Sequence, residues 1–382
     1  MIPYGKHNII QDDIDAVVEV LKNKFLTQGE TVPAFEQALC DYTGAQYCTA
    51  VNSGTSGLHV ACLAAGVGPG DWVWTTPNSF VASANCAKYC GANIDFVDID
   101  PLTRNLSPAA LAFKLEDAVK NNQLPKAIVV VHFAGLSCDM AAIRQLANKH
   151  NIILIEDAAH GLGGAFNTHK IGGCHYSDIA VLSFHPVKSI TTAEGGAVLC
   201  NDPQLSERIV SFAKHGITRD EMKLTEQQGP WYYEQHDLGF NYRLSDLHAA
   251  LGLSQLKRLD TFVAQRRAAA HRYHSLLAEL PLQLPVTSSL GDDHCAWHLY
   301  MIEVLQHDRL NVFTQLQQAG IGVNVHYIPI HLQPYYRKLG FSPGQFPYSE
   351  QFYSRAITLP LYPGLTETQQ DQVVESLYQV LR

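Results

Sequence analysis

Between about residues 45 and 200 the chain alternates short β-branched or apolar runs with helical patterns, and this alternation constrains the fold more than any other feature. Seven runs read as strands: Tyr47–Val51, Trp72–Thr75, Ile94–Asp98, Ala127–Val131, Ile152–Ile155, Ile179–Ser183 and Gly196–Cys200. Helical segments such as Phe80–Tyr89 and Ala141–His150 are long enough to serve as crossovers, so the runs predict βαβ units and a largely parallel sheet. Ahead of them, Ile14, Val17, Val18 and Leu21 recur at helical spacing and predict one apolar face. A second helix has Pro33 near its first turn and Gly44 at its C-terminal cap. Residues 249–279 read as one long helix ending at Pro281, followed by a connector over Pro281–Asp293. A chain of 382 residues exceeds what one core usually organises. We therefore expect a larger α/β domain over 1–256 and a smaller C-terminal domain over 257–382.

Composition removes several function classes. Twenty-seven Lys and Arg against 36 Asp and Glu give a net charge of −9, and no dense basic run is present, so no nucleic-acid partner is expected. No apolar run approaches the roughly 18 residues of a membrane helix, so no membrane partner is expected. The nine cysteines are scattered without a C-x-x-C pair, which predicts buried thiols rather than a disulfide framework. The N-terminus carries no leader pattern, so the expected location is cytoplasmic. Eighteen histidines raise the question of metal, but no His-Glu-x-x-His spacing occurs and no metal site is expected.

Three features carry chemistry. The turn Asn52-Ser53-Gly54-Thr55-Ser56-Gly57 links a strand to a small-residue helix. Free N–H groups, hydroxyls and glycines there suit a phosphate, although an ordinary serine cap reads the same way. Glu156-Asp157-Ala158-Ala159-His160 follows the fifth strand, and the carboxyl ends of strands in open parallel sheets are where ligands gather. Asp157 could equally cap a turn. Ser183-Phe184-His185-Pro186-Val187-Lys188 follows the sixth strand; a lysine at the end of a buried strand is partly desolvated and suits Schiff-base chemistry, though many such lysines are simply exposed. Together, a phosphate cradle, a carboxylate and an amine are what pyridoxal 5′-phosphate requires.

The runs Asn52–Leu58, Thr76–Asn85, Glu156–His160, Ser183–Lys188 with Glu194-Gly195-Gly196, and Gly239–Asp246 resemble the DegT/StrS-type nucleotide-sugar aminotransferases over essentially the whole chain. The resemblance implies the fold of type I pyridoxal-phosphate transferases, aspartate-aminotransferase-like, with a mostly parallel seven-stranded sheet and a smaller C-terminal α+β domain. It implies Lys188 as the amine that bonds the cofactor and Asp157 as partner of its ring nitrogen. Gly54, Thr55, Ser56 and Ser183 would hold the phosphate, Phe80 would stack on the ring and His160 would sit near its phenolic oxygen. Asn241 would reach the phosphate from a second copy, implying a homodimer. Tyr4, Lys24, Phe25, Leu26, Thr27, Gln28, Asn324, Val325, His326 and Tyr327 match positions lining a sugar-nucleotide pocket.

Within the family, Phe25–Gly29, Ser183–Lys188 with Ile190–Gly196, and Val325–Ile330 are most similar to members of the pseudaminic acid pathway. That narrower resemblance implies amino transfer from L-glutamate to C4 of UDP-4-keto-6-deoxy-N-acetyl-β-L-altrosamine. The alternatives are another UDP- or dTDP-linked keto sugar and a non-catalytic regulatory relative. A dehydratase of the same fold would carry histidine where Lys188 stands.

Overall fold

The computed structural model describes residues 1–286 and 294–381. Within them the predicted runs form one sheet: β1 (Tyr47–Val51), β2 (Trp72–Thr75), β3 (Asn93–Phe96), β4 (Ala127–Val131), β5 (Ile153–Asp157), β6 (Ile179–Ser183) and β7 (Gly196–Cys200). The spatial order is β1-β7-β6-β5-β4-β2-β3. Strands β2 to β6 run parallel, whereas β7 is antiparallel to both β6 and β1. All five residues of β4 are buried. Ala127 and Val129 enter one core while Ile128 and Val130 enter another, so helices must cover both faces.

Those helices are α1 (Gln11–Asn23), α2 (Thr31–Thr43), α3 (Gly54–Ala64), α4 (Ala82–Tyr89), α5 (Pro108–Asn121), α6 (Met140–Asn148) and α7 (Pro203–Ala213). Gly44 caps α2 with φ 86°, a left-handed conformation that glycine adopts without a Cβ penalty. The apolar face expected on α1 is displaced. Ile14 and Leu21 are 48% and 55% exposed, while Asp13 and Val20 are buried. The cause is a polar anchor: Asp13 accepts hydrogen bonds from Ser254 (2.6 Å), Gln255 (2.7 Å) and Arg258 (2.5 Å), which turns that side of the helix inward.

Two strand ends also shift. β3 stops at Phe96 because Asp98, expected within it, accepts the N–H groups of Tyr348 and Ser349, both at 3.0 Å. β5 was expected to stop at Ile155 but continues to Asp157, since Glu156 and Asp157 pair with Val130 and Val131 of β4. Asp157 is thus the last residue of a buried strand.

The single long helix expected over 249–279 is two, α8 (Asp246–Leu256) and α9 (Leu259–Leu277). No proline or glycine marks the break. Arg258 there is drawn to Asn8 (2.8 Å) and Asp13, and lies over the Phe262 ring. After α9 comes a three-stranded antiparallel sheet of β8 (Leu282–Gln283), β9 (Tyr300–Val304) and β10 (Ala356–Leu359). It shares a core with α9 and with the helices Arg309–Gln318 and Glu367–Leu381, through Tyr273, Leu277, Ile302, Val312, Ile357 and Leu377. Ile2 joins the same core, so the first residues of the chain pack with its last third. The expected connector Pro281–Asp293 begins with the edge strand β8, and its residues 287–293 lie outside the described residues. Among the described residues no helix is long and apolar enough to cross a membrane.

Candidate active site

The carboxyl ends of β4, β5 and β6 and the N-terminus of α3 meet at a cavity of about 530 Å³. Crossovers in a parallel sheet place turns and helix N-termini at that edge, so the location follows from the topology. Glycines bring the pieces into contact. A Cβ on Gly57 would lie 2.7 Å from Val181 of β6, and one on Gly54 would lie 2.9 Å from Ser183 Cβ. The first turn of α3 is therefore pressed onto the end of β6, with Thr55 and Ser183 both lining the cavity.

Ser53 caps α3, accepting the Ser56 N–H at 3.0 Å. Ser56 donates its hydroxyl to Asn52 at 2.6 Å and does not line the cavity in the single chain. At the third helical position a serine faces back over the cap, and its hydroxyl is used there.

Asp157 is buried at the cavity floor, where Ser83 donates to it at 2.6 Å and the Ala159 N–H at 3.2 Å. Ser83 in turn is 2.7 Å from Ser79. Lys188, partly buried across the cavity, has its ammonium pushed down to about 8. Burial dominates, nearby Asp157 opposes it, and the Arg266 guanidinium adds to it. Such an amine keeps a neutral fraction of about a tenth at pH 7, far more than an ordinary lysine, and that fraction is competent to attack an aldehyde.

His160 Nδ1 accepts the Ala134 N–H at 3.3 Å, so its proton sits on Nε2, 3.3 Å from the Tyr327 hydroxyl. Burial, then the charges of Lys188 and His326, hold its pKa well below the ordinary value. His298, which the sequence reading missed, also lines the cavity, with its ring centroid 4.2 Å from that of His160. Its Nδ1 has no partner among the described residues. The only signal in the sequence was the pair Trp297-His298 ahead of the apolar strand β9. Ser83 was also missed; it lies in the first turn of α4, four residues after Ser79 in the preceding loop.

Of the other expected residues, Tyr4, Gly54, Phe80, Asn324, Val325, His326 and Tyr327 reach the cavity. Phe80, 56% exposed, lies at its mouth opposite Tyr327, ring centroids 6.1 Å apart. His326 is fixed by Thr358 at 2.8 Å, and burial, then Lys188, lowers its pKa to about 4. Lys24, Phe25, Leu26, Thr27, Gln28 and Asn241 do not line this cavity in the single chain.

A chamber with a helix N-terminus at one end, an amine of lowered pKa at another and a buried carboxylate between them calls for comparison with known proteins. The model of the DegT/DnrJ/EryC1/StrS aminotransferase family matches residues 7–378. The chain belongs to that family. It is 37% identical over 388 residues to the spore coat polysaccharide biosynthesis protein SpsC of Bacillus subtilis, covering 100% of this chain and 97% of that protein. Among solved structures, the PMP-form of the putative sugar aminotransferase Spr1654 from Streptococcus pneumoniae superposes with a TM-score of 0.91 at 27% identity, covering 100% of this chain and 99% of that one. PseC of Helicobacter pylori, an aminotransferase involved in the biosynthesis of pseudoaminic acid, superposes at 0.89 with 32% identity and the same coverage. The protein is a sugar aminotransferase of transferase fold type I whose cofactor is pyridoxal 5′-phosphate.

The residues present fit that cofactor. A Cβ at position 54 would strike Ser183, so a glycine there lets the first turn of α3 close onto the end of β6, where its free N–H groups could meet a phosphate. Because Ser83 donates to Asp157, its loss should weaken the carboxylate's hold on a protonated ring nitrogen. Ser83→Ala is expected to lower kcat about tenfold while cofactor stays bound, measured by steady-state rates alongside the absorbance of the holoenzyme.

Proposed function

We propose that this aminotransferase moves the amino group of L-glutamate to C4 of UDP-4-keto-6-deoxy-N-acetyl-β-L-altrosamine, a step of pseudaminic acid synthesis in the cytoplasm. The observation that carries the reading is the convergence of Lys188 and Asp157 with Tyr4 and Asn324–Tyr327 on one cavity. The likeness to PseC supports the substrate class. Bound pyridoxal phosphate supplies an aldehyde that exchanges amines and a ring that accepts electron density from the carbon losing its proton.

Around it the chain's own residues divide the work. Lys188 Nζ would hold the cofactor covalently and, once free, take and return the proton in each half of the reaction. Asp157, buried and held by Ser83, would keep the ring nitrogen protonated. Gly54, Thr55 and Ser183 receive the phosphate. Phe80 would cover the ring, and neutral His160 would serve its phenolic oxygen. The region over 1–256 serves as the cofactor-binding domain and 257–382 as the domain that carries Asn324–Tyr327 onto the pocket. Asn241, exposed here, reaches the phosphate in a second copy, making a homodimer.

A panel of UDP- and dTDP-linked keto sugars incubated with enzyme and glutamate, read by mass spectrometry, tests the substrate. Amination of the L-altro sugar in preference to the others is expected; a strong preference for another keto sugar would replace it.

The lowered pKa of Lys188 has a sign that can be checked. The amine is charged below about 8 and neutral above it, so the rate at which cofactor-free enzyme bonds pyridoxal phosphate should rise with pH and level off above about 8. An ordinary exposed lysine would keep rising toward 10.5. Stopped-flow absorbance between pH 6 and 10, at about half-unit steps, separates the two outcomes.

A further inference from the structure

Asp246 is completely buried, and it is bound to a loop more than two hundred residues away in sequence. Its Oδ2 accepts the Gly29 N–H at 2.8 Å, and its Oδ1 accepts those of Thr31 at 2.9 Å and Val32 at 3.1 Å. Its own N–H donates to the Leu26 carbonyl at 2.9 Å. Thr31 and Val32 open α2, and Glu30 at the cap position makes no capping bond of its own, so Asp246 caps that helix from a distant part of the chain. Between the anchored ends, Gln28 takes φ 57°, and a Cβ on Gly29 would press on both Phe25 (3.0 Å) and Asp246 (3.1 Å). Lys24 and Glu30 close the base of the loop at 2.8 Å.

This loop contains Lys24–Gln28, and Asp246 stands five residues after Asn241 on one continuous segment. Neither the loop nor Asn241 lines the cavity of its own chain; Phe25 is 78% exposed. Two segments read as reaching a second copy's cavity, the loop toward the sugar nucleotide and Asn241 toward the cofactor phosphate, are thus tied together by one carboxylate.

We infer that Asp246 is a positioning residue that locks loop 24–30 to the Asn241 segment, so that both enter the cavity of the second copy as one unit and the loop holds the sugar nucleotide there. The inference rests on the proposed reading that Lys24–Gln28 contact the sugar nucleotide and that Asn241 acts across the dimer. A carboxylate is needed because three N–H donors converge on its two oxygens. Asparagine has nearly the same shape but sets an NH₂ group against at least one of them.

Asp246→Asn in the holoenzyme is the test. Amide hydrogen exchange at Gly29, Thr31 and Val32 should accelerate. The KM for the UDP-linked keto sugar should rise about tenfold, equivalent to about 1.4 kcal/mol. The glutamate half-reaction, followed by cofactor absorbance without sugar, should change less than about twofold. Equal losses in both halves would mean a general structural role and overturn the inference.

Mixed dimers place the loop. In a dimer of one Lys188→Ala chain and one Asp246→Asn chain, the only competent Lys188 belongs to the Asp246→Asn chain. Its loop comes from the Lys188→Ala chain if the loop acts across the dimer, and a wild-type KM is expected. A raised KM would assign the loop to its own chain's cavity and overturn the inference. Gln28→Ala separates the layers. If it leaves the KM unchanged, the substrate reading of the loop fails; if it raises the KM while Asp246→Asn does not, only the role of Asp246 fails.

Discussion

Lys188→Ala is expected to leave a folded protein that turns over at least about 10³-fold more slowly and shows no absorbance from covalently held pyridoxal phosphate. The size of the effect follows from the number of tasks the side chain performs. On the proposed reading it bonds the cofactor at rest and moves the proton in both halves of the reaction, so no neighbour replaces it. His185, three residues earlier, lines the same cavity, but it is exposed to solvent, and an imidazole cannot form the amine's bond to an aldehyde. His160 is held neutral with its proton directed at Tyr327, so it is not placed to accept one from substrate. The fold should survive, because Lys188 is only partly buried and makes no side-chain hydrogen bond among the described residues whose loss would orphan a partner. Added free amine should restore a small part of the proton transfer, which distinguishes a missing proton carrier from a collapsed site. Turnover within about tenfold of the parent enzyme would remove Lys188 from the mechanism.

The same residues show what a sequence can and cannot disclose. Strands β1, β2, β4, β6 and β7 stand where their apolar runs predict them, because strands covered on both faces read as short continuous apolar stretches between turns. The ends of β3 and β5 were not legible, since they depend on pairing partners and on the capture of Asp98 by Tyr348 and Ser349, 250 or more residues away. The break between α8 and α9 was equally hidden, because its cause is Arg258 meeting Asn8 and Asp13 across the fold. The face of α1 misled for the same reason: a buried Asp13 outweighs the pattern set by Ile14 and Leu21.

At the site, residues lying directly after strands were legible because topology alone sends those ends to a common edge. Lys188, Asp157, His160 and Ser183 are of this kind, and all four line the cavity. Groups that reach it by folding back were not. His298 arrives from the sheet formed by the last third of the chain, and Ser83 acts only through Asp157. Ser56 marks the limit in the other direction. Its residue type fits a phosphate cradle, but in the single chain its hydroxyl is donated to the Asn52 side chain.

Asp157→Asn should lower kcat about 10²- to 10³-fold while the cofactor remains bound and the protein remains folded. Hydrogen bonding around this position permits the substitution structurally. The asparagine oxygen can accept the Ala159 N–H, and its NH₂ can donate to Ser83, whose hydroxyl is then free to donate to Ser79. What asparagine cannot do is stabilise a positive ring nitrogen, since it carries no charge to pair with the proton. Electron density leaving the substrate carbon would then meet a neutral ring, and the proton transfer by Lys188 would be the step that slows. The expected signature is a kinetic isotope effect on the donor Cα–H that grows in the variant, together with a shift of the bound cofactor's absorbance and little change in the amount bound. The effect should also be larger than that of Ser83→Ala, because the charge itself is lost rather than its orientation. Turnover of Asp157→Asn within about threefold of the parent would show that the ring nitrogen is served by some other group.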